Sequence, residues 1–233
     1  MLRSSGGSLA NDQEKEAAAQ ASLRFVQDGQ TVGLGTGSTA AYFIQLLGVQ
    51  VKKGLRIRGI PTSERSREQA ASLGIPLTTL DECQEIDVTV DGADEVDPQL
   101  RLIKGGGGAL LREKIVASAT KYYVIITDAS KRVPVLGKFP LPVEVIKFAQ
   151  AVVAKKIEAL GASVGLRRGA DGSPFLSDEN NYILDCRFGQ IPDAYRLARR
   201  LSDMPGVVEH GLFIGMASVV LLANGSEVVE LRR

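Results

Sequence analysis

The stretch "TVGLGTGSTAAYFIQLLG", residues 31–48, places an apolar run, a glycine-rich turn and a helix-forming segment in succession. An apolar run closed by glycine predicts a short buried strand, and the residues after the turn predict a helix. The alternation continues with strand "LRIRGI", helix "SERSREQAASLG", strand "IDVTV", helix "ALLREKIVASAT" and strand "YYVIIT". Strands rich in Val and Ile that alternate with helices predict a buried parallel sheet of the α/β class.

A further helix is predicted ahead of this stretch, in "NDQEKEAAAQASLRFV", with Asn11 or Asp12 as its cap. The opening "MLRSSGGSLA" is rich in Ser and Gly and lacks acidic residues, so we expect a disordered tail and leave it out of the fold argument. It has no hydrophobic core of a signal peptide, and no apolar run approaches the ~20 residues that cross a bilayer. These features predict a cytoplasmic protein without a membrane partner.

The pattern changes after residue 140. The segments "LPVEVI", "AQAVVAKKIEALGA", "SVGLRR", "YILDCRF", "PDAYRLARRLSD" and "GVVEHGLF" follow the order β-α-β-β-α-β, which predicts a small ferredoxin-like α+β domain over residues 141–207. The tail "ASVVLLANGSEVVELRR" carries a hairpin signal at Asn224-Gly225. Because two isolated strands are only marginally stable, the tail is expected to join the first domain. The larger domain then comprises residues 1–140 and 208–233.

Composition limits the classes of ligand. The 28 basic residues nearly balance the 27 acidic residues, which gives no general attraction toward nucleic acid or an anionic membrane and favours a small ligand. Cys83 and Cys186 lie far apart, as expected for two free thiols in a reducing compartment. With His210 as the single histidine, a structural zinc site or a His-based triad is nearly excluded.

Polar or glycine-rich segments follow four of the predicted strands. Because ligands collect beyond the carboxyl ends of parallel strands, these four segments predict one polar crevice. They are "GTGST" (35–39), "PTSERS" (61–66), "DGADEVD" (91–97) and "DASK" (128–131).

The first of these segments lacks the G-x-G-x-x-G spacing of dinucleotide-binding turns, and no Gly-Lys-Ser/Thr of a Walker loop follows it. Its backbone N–H groups and the hydroxyls of Ser38 and Thr39 would suit a phosphate at a helix N-terminus. A plain tight turn is the alternative.

The acidic segment places Asp91 at the end of a buried strand and Asp94 three residues later. Both carboxylates are predicted to lie over the crevice, whereas a solvated acidic turn and a magnesium site remain alternatives. In "KGGGGALLREK" (104–114), Lys104 precedes four glycines and Glu113 follows on a helix. This segment is either a flexible loop before a surface helix or a backbone that closely approaches a ligand.

Five motifs in this order, "GLGTGSTA", "TSERS", "DGADEVD", "KGGGGALLREK" and "DASK…VLGKFPLPVEV", closely resemble the type A ribose-5-phosphate isomerase family from about Gln13 to the carboxyl end. The resemblance implies a Rossmann-like α/β domain with a small α+β domain. It also implies interconversion of ribose 5-phosphate and ribulose 5-phosphate in the pentose phosphate pathway, through an enediolate and without a metal or other cofactor. A homodimer or homotetramer is implied as well, with the small domain in oligomer contacts.

The resemblance also implies roles for single residues. Glu113 would be the general base, Lys104 and the amides of Gly105, Gly106 and Gly107 would face the sugar oxygens, and Asp91 and Asp94 would bind hydroxyls and assist ring opening. Lys15 is a looser match to a phosphate-contacting lysine. The substrate-binding set comprises Thr36, Gly37, Ser38, Thr39, Asp91, Gly92, Ala93, Asp94, Lys104, Gly105, Gly106, Gly107 and Lys131.

The chemistry agrees with these roles. Aldose–ketose isomerisation needs a base near a carbon-bound proton, a cation or N–H groups for the enediolate oxygen, and an acid for the second oxygen. Glu113, Lys104 with its glycines, and Asp91 could supply them. Two alternatives remain: a related sugar-phosphate isomerase/deaminase or CoA transferase, and a non-catalytic sugar-phosphate sensor. A deaminase would be expected to place a histidine at the site, and a sensor usually carries a DNA-binding helix-turn-helix.

Overall fold

The computed structural model describes residues 5–232, with side chains from residue 11 onward. Six α-helices lie in this part of the chain: α1 (Ser5–Ser22), α2 (Ser38–Lys52), α3 (Glu64–Ser72), α4 (Leu110–Ser118), α5 (Gln150–Glu158) and α6 (Ala194–Ser202). The same residues form thirteen strands: β1 (Thr31–Leu34), β2 (Arg58–Pro61), β3 (Ile86–Asp91), β4 (Glu95–Val96), β5 (Leu102–Ile103), β6 (Thr120–Asp128), β7 (Leu141–Val145), β8 (Ser163–Leu166), β9 (Tyr182–Arg187), β10 (Val207–His210), β11 (Leu212–Phe213), β12 (Val219–Asn224) and β13 (Glu227–Leu231).

The chain separates into two compact units. The larger unit holds the residues up to 93, residues 115–132 and the residues from 216, and the smaller unit holds residues 94–114 and 133–215. The domain limits predicted from the sequence stay a prediction. The compact units place three additional segments, 94–114, 133–140 and 208–215, with the smaller unit.

A six-stranded sheet in the order β13-β12-β6-β3-β1-β2 forms the centre of the larger unit. The five strands from β12 to β2 are parallel, and β13 pairs antiparallel with β12. The terminal hairpin therefore returns to the first sheet, as predicted, and its two strands are joined across Asn224 and Glu227. All four residues of β1 are buried, in agreement with the continuous apolar run expected of a covered parallel strand.

The core of the larger unit joins helix faces to this sheet. Ala18 and Ala19 of α1 and Phe43 and Leu47 of α2 are fully buried in one cluster with Val90 of β3. Small alanines on α1 let the helix pack closely, and burying side chains the size of Phe and Leu stabilises the fold by roughly 1.5–3 kcal/mol each.

Helix α1 begins at Ser5, so the prediction of a cap at Asn11 or Asp12 was wrong. Once the alanine-rich run "EKEAAAQA" has nucleated a helix, each added residue costs little, and the helix therefore extends through residues 5–10. Those residues are not part of a disordered tail. Residues 1–4, which were also predicted to be disordered, lie outside the described residues.

The smaller unit has a four-stranded antiparallel sheet in the order β10-β7-β9-β8. With α5 between β7 and β8 and α6 between β9 and β10, this is the predicted β-α-β-β-α-β arrangement. Its core contains Val143, Val153, Ile157 and Leu184, which are fully buried.

A three-stranded sheet, β11-β5-β4, was missed in the sequence. Each of its strands has only two residues, and such short segments carry no readable alternation. Within the described part of the chain, no helix combines the length and apolar character that a membrane span requires.

Candidate active site

The winding of the parallel sheet reverses between β1 and β3, because β2 lies on one side of β1 and β3 on the other. Such a reversal opens a crevice at the carboxyl ends of the strands. Gly35 lies at this point, and its N–H donates to the carbonyl oxygen of Val90 at 3.0 Å. A Cβ atom on Gly35 would lie 2.5 Å from the Cα of Asp91. Glycine is therefore required here by the close approach of the two strand ends.

Asp91, the last residue of β3, is completely buried. Its Oδ1 accepts hydrogen bonds from the amides of Thr36, at 3.0 Å, and Gly92, at 2.7 Å, and the hydroxyl of Tyr123 lies 3.2 Å from Oδ2. Gly92 and Ala93 follow and are half-buried. These donors hold the carboxylate in one orientation at the reversal point of the sheet.

Helix α2 begins at Ser38 without a side-chain cap. The residue before it, Gly37, has φ +107°, a conformation that a side chain would strain. Ser38 is exposed and Thr39 is half-buried. Because the first N–H groups of a helix have no partner inside the helix, this end of α2 can bind an anion.

Hydroxyl groups connect the ends of β1 and β2. The Oγ1 of Thr36 lies 2.8 Å from the Oγ1 of Thr62, 2.8 Å from the Oγ of Ser63 and 3.1 Å from the Oγ of Ser66. Ser63 caps α3, and the hydroxyl of Ser66 donates to the carbonyl of Gly35 at 2.7 Å. Sequence reasoning identified "PTSERS" as a strand-end segment but named no site residue in it. Its hydroxyls support the glycine-rich turn.

Lys131 ends a short 3-10 helix, Ala129–Lys131, that follows β6. Asp128 caps this helix by accepting a hydrogen bond from the amide of Ser130 at 3.0 Å. Lys131 is half-buried, and no described side chain forms an ion pair with it. The remaining lysine matched from the sequence, Lys15 of α1, lies 3.3 Å from the carboxylate of Asp12.

Lys104 and Glu113 form a buried ion pair in the smaller unit, with 3.2 Å between Nζ and Oε1. Their residues are 2% and 4% exposed. Lys104 directly follows β5, its amide donates to the carbonyl of Gly211 at 2.9 Å, and its ammonium lies 5.5 Å from the centre of the Phe213 ring. Glu113 is in the first turn of α4, where the helix dipole favours an acidic side chain.

The four glycines between these charges form a tight loop. Gly105 and Gly108 have φ +97° and +89°, and the amide of Gly108 donates to the carbonyl of Gly105 at 3.0 Å. The amide of Gly106 donates to the Oδ2 of Asp94 at 2.7 Å. The carboxylate of Asp94 thus accepts the hydrogen bond of the Gly106 amide, and the expected contact of this amide with a sugar oxygen stays a prediction. Gly107 is exposed, and across residues 5–232 its amide has no hydrogen-bond acceptor.

Known proteins resemble this chain over most of its length. Residues 58–227 match the model of the family described as ribose 5-phosphate isomerase A, or phosphoriboisomerase A. A protein named ribose-5-phosphate isomerase A from Parvibaculum lavamentivorans is 54% identical over 94% of this chain and 98% of its own. A protein of the same name from Rhodopseudomonas palustris is 56% identical over 94% of this chain and 97% of its own. The chain belongs to the ribose 5-phosphate isomerase A family.

Solved structures of ribose 5-phosphate isomerases share the fold. One from Methanocaldococcus jannaschii superposes with a TM-score of 0.92 at 41% identity, covering 96% of this chain and all of that one. Another, a D-ribose-5-phosphate isomerase in complex with phospho-erythronic acid, has a TM-score of 0.93 at 40% identity, covering 95% and 99% of the two chains. The predicted fold class and family are confirmed.

Lys114, the last residue of the motif that begins at Lys104, is the centre of a polar network to which the sequence assigned no role. Its ammonium lies 2.6 Å from the Oε1 of Glu209, 2.5 Å from the carbonyl of His210 and 4.9 Å from the centre of the Phe213 ring. Burial lowers the pKa of Lys114. Sequence reasoning missed this network, since Lys114 had the pattern of an ordinary surface lysine.

His210 is neutral in this network. Burial first, and the charge of Lys114 second, lower its pKa to about 4. Its Nδ1 accepts from the amide of Leu212 at 3.3 Å, and its Nε2 lies 3.2 Å from the Oγ of Ser202. With Nδ1 accepting, the proton is on Nε2, so His210 serves as a structural hydrogen-bonding group.

No group of three His, Cys, Asp or Glu side chains among the described residues is arranged to hold a metal ion. Both cysteines are free thiols, and burial raises the pKa of Cys186 to about 12.

Proposed function

We propose that this chain interconverts D-ribose 5-phosphate and D-ribulose 5-phosphate, the aldose–ketose isomerisation of the non-oxidative pentose phosphate pathway. The observation that carries the proposal is the buried pair of Lys104 and Glu113 around the glycine loop, in a chain of the ribose 5-phosphate isomerase A family. A carboxylate, a cation and backbone donors next to one another are what proton transfer at carbon requires.

Glu113 acts as the general base. Its carboxylate takes the proton from C2 of the open-chain aldose, the electron pair forms the C1–C2 double bond, and the carbonyl oxygen O1 takes the negative charge of the enediolate. A proton then moves from O2 to O1, which leaves the charge on O2. As the C2–O2 double bond forms, C1 accepts the proton that Glu113 carries, which gives the ketose. Because Glu113 is only 4% exposed, solvent has little access to the proton while it is held.

Lys104 and the Gly107 amide stabilise the enediolate oxygen. The ammonium of Lys104 is nearly free of water, at 2% exposure, so its charge acts more strongly than it would in solvent. The N–H of Gly107, an exposed residue of the loop, is open to a ligand. The Gly106 amide instead orients Asp94.

Asp91 and Asp94 bind sugar hydroxyls and assist ring opening. Each carboxylate accepts at least one backbone N–H bond, which fixes its orientation before the substrate arrives. Such pre-organisation lowers the cost of ordering at the reacting geometry.

The phosphate group binds at the start of α2, through the uncapped helix N–H groups and the hydroxyls of Ser38 and Thr39. Lys131 adds a point charge from the end of β6. Thr36 and Gly37 belong to the same turn and shape it.

The alternatives from the sequence are not favoured. His210, the single histidine of the chain, is buried and engaged with Lys114, Leu212 and Ser202, so it is not placed as the catalytic histidine of a deaminase. A sensor would not need the Lys104–Glu113 pair.

We propose that the protein is cytoplasmic and forms a homodimer or homotetramer through the smaller unit. Three exposed apolar side chains support this contact surface, which we name the Phe148 surface: Phe148 is 97% exposed, Val152 59% and Ile146 43%. Large apolar side chains that are exposed close together are typical of surfaces that contact another protein.

The test is to incubate the purified chain with ribose 5-phosphate in excess EDTA and to measure formation of the ketose. We expect ribulose 5-phosphate to form at the full rate, because Lys104 already supplies the positive charge that a metal would otherwise provide. Absence of ketose would reject the proposal. Activity lost to EDTA and restored by a divalent ion would instead reassign Asp91 and Asp94 as metal ligands.

A further inference from the structure

One arginine from the smaller unit holds the backbone of the glycine loop. The Nη1 of Arg167 donates to the carbonyl oxygens of both Gly105, at 2.9 Å, and Gly106, at 3.1 Å. Arg167 follows β8 and is more than 60 residues from the loop in the chain. It lies outside every motif that identified the family.

The guanidinium is itself held on two sides. Its Nε donates to the Oδ2 of Asp185 at 3.0 Å, and its Nη2 donates to the other oxygen of the same carboxylate. The Phe175 ring centre lies 5.9 Å from the guanidinium carbon. A Cβ atom on Gly108 would lie 2.5 Å from that ring, so the same phenylalanine packs against the far end of the loop. A bidentate pair with a carboxylate leaves the guanidinium little freedom.

These contacts set the direction of two amides. In a planar trans peptide the C=O and the N–H point in opposite directions. A bond to the Gly105 carbonyl therefore directs the Gly106 N–H away from Arg167, where it meets Asp94 at 2.7 Å. By the same geometry, the bond to the Gly106 carbonyl directs the Gly107 N–H away from Arg167. Without a brace, four adjacent glycines would leave both peptide planes free to rotate.

We propose that Arg167, held by Asp185, is a positioning residue for the isomerisation. It fixes the peptide planes of the glycine loop so that the Gly107 amide presents its N–H to the enediolate oxygen and the Gly106 amide orients Asp94. The cation also polarises both peptides and makes their N–H groups better donors. This role rests on the proposed function, whereas the bracing of the loop can be measured without it.

The kinetic test compares Arg167→Met with Arg168→Met. Arg168 is the matched control, because it is the adjacent, exposed arginine and its side chain donates to the carbonyl of Gly172, outside the glycine loop. We expect Arg167→Met to lower kcat roughly 10- to 100-fold with KM for ribose 5-phosphate changed less than about threefold, since a misplaced donor weakens transition-state binding most. Arg168→Met should retain the wild-type values. Arg167→Lys, which keeps a charged donor, should recover part of kcat.

Asp185→Asn provides a second route, because it releases the guanidinium without removing it. If Asp185 acts only through Arg167, the kcat of the variant that combines Arg167→Met with Asp185→Asn should be no lower than that of Arg167→Met alone. This variant also keeps the test open should Arg167→Met fail to fold, as judged by thermal unfolding.

Amide hydrogen exchange measured by NMR without substrate reports on the loop directly. We expect exchange at Gly106 to be at least tenfold faster in Arg167→Met and unchanged in Arg168→Met. A wild-type chain that makes no ketose would reject the proposed function, and the exchange rates would still decide whether the brace exists. Unchanged exchange would overturn the brace. Faster exchange with wild-type kcat would overturn its role in positioning.

Discussion

At the scale of single residues, the burial of Lys104 and Glu113 lowers the stability that apolar residues could give at the same positions, and a catalytic role would explain why the pair is present. Removing two charges from water has a penalty that their attraction only partly offsets, and well-packed apolar residues are often as stable or more so. The pair lies under a loop whose glycines also add to the entropy lost on folding. Both costs are explained if the site has to bind an anionic transition state.

The first prediction concerns the base. Glu113→Gln should keep the shape of the side chain but lose roughly two or more decades of kcat, the scale of general-base removal. It should also lower the unfolding free energy by up to a few kcal/mol, since Lys104 loses a charged partner in a buried place. Steady-state kinetics and urea unfolding measure the two effects. Glu158→Gln, at an exposed position of α5, is the control, and near-normal turnover in folded Glu113→Gln would exclude Glu113 as base.

A second residue-scale prediction follows from His210. Its pKa in the fold is about 4, below the ordinary value of 6.5, so the unfolded chain binds a proton that the folded chain does not as the pH falls. The stability that neutral His210 contributes is present above about pH 6.5 and is lost as the pH falls toward 4. Lys114 and Glu209 contact this site, and Lys114 opposes protonation.

The measurement is urea unfolding at pH 7 and pH 5. Wild type should lose on the order of 2 kcal/mol more between these values than His210→Gln, which cannot titrate. Equal losses in the two proteins would show that His210 does not couple folding to pH.

At the scale of elements, the helix starts differ in a way that indicates function. Helix α3 is capped by the hydroxyl of Ser63 and α6 by the carboxylate of Asp193, whereas α2 and α5 begin with no side-chain cap. The open N–H groups of α2 also lie at the crevice where the sheet reverses direction. A ligand is the natural partner for such donors.

The element-scale prediction is that the Ser38→Ala/Thr39→Ala double variant, and Lys131→Ala separately, raise KM for ribose 5-phosphate far more than KM for ribose. Phosphate binding is remote from the reacting carbons, so its loss should weaken binding first. Inhibition by inorganic phosphate should weaken in parallel. Ser72→Ala and Lys155→Ala, at exposed positions, are controls. Equal losses for ribose and its phosphate ester would place the phosphate elsewhere, with Lys15 the next candidate.

At the scale of the whole molecule, the chain has a small fold of the ferredoxin-like type inserted between the fourth and fifth parallel strands of the main sheet. The insertion supplies Arg167, Asp185 and Phe175, which brace the glycine loop, and it carries the Phe148 surface. Its two contributions are separate, because the surface residues take no part in the brace.

The corresponding prediction is that Phe148→Glu lowers the mass of the particle measured by light scattering from dimer or tetramer toward monomer. A charge at the centre of an apolar contact would have to be buried without a partner. Val229→Glu, at an exposed position of the larger unit, should leave the mass unchanged. An unchanged mass for Phe148→Glu would place the oligomer contact elsewhere.

The sequence by itself determined the order of strands and helices, the return of the terminal hairpin, the family, and the presence of Lys104 and Glu113 around four glycines. These features depend on neighbours within a few residues, because periodicity and turn chemistry are local signals. The predicted start of α1 was wrong because a capping residue does not show how far a helix extends beyond a segment with high helix propensity.

Only the tertiary structure decided which partners these residues have. Asp94 accepts the amide of Gly106, twelve residues away, and Arg167 binds the loop carbonyls across more than 60 residues. His210 contacts Lys114 from 96 residues away. The two-residue strands form a sheet in which residues 212–213 of β11 lie beside residues 102–103 of β5, far away in the sequence. Hydrogen bonds depend on distance and angle in space, and composition and spacing do not report where the chain brings distant groups together.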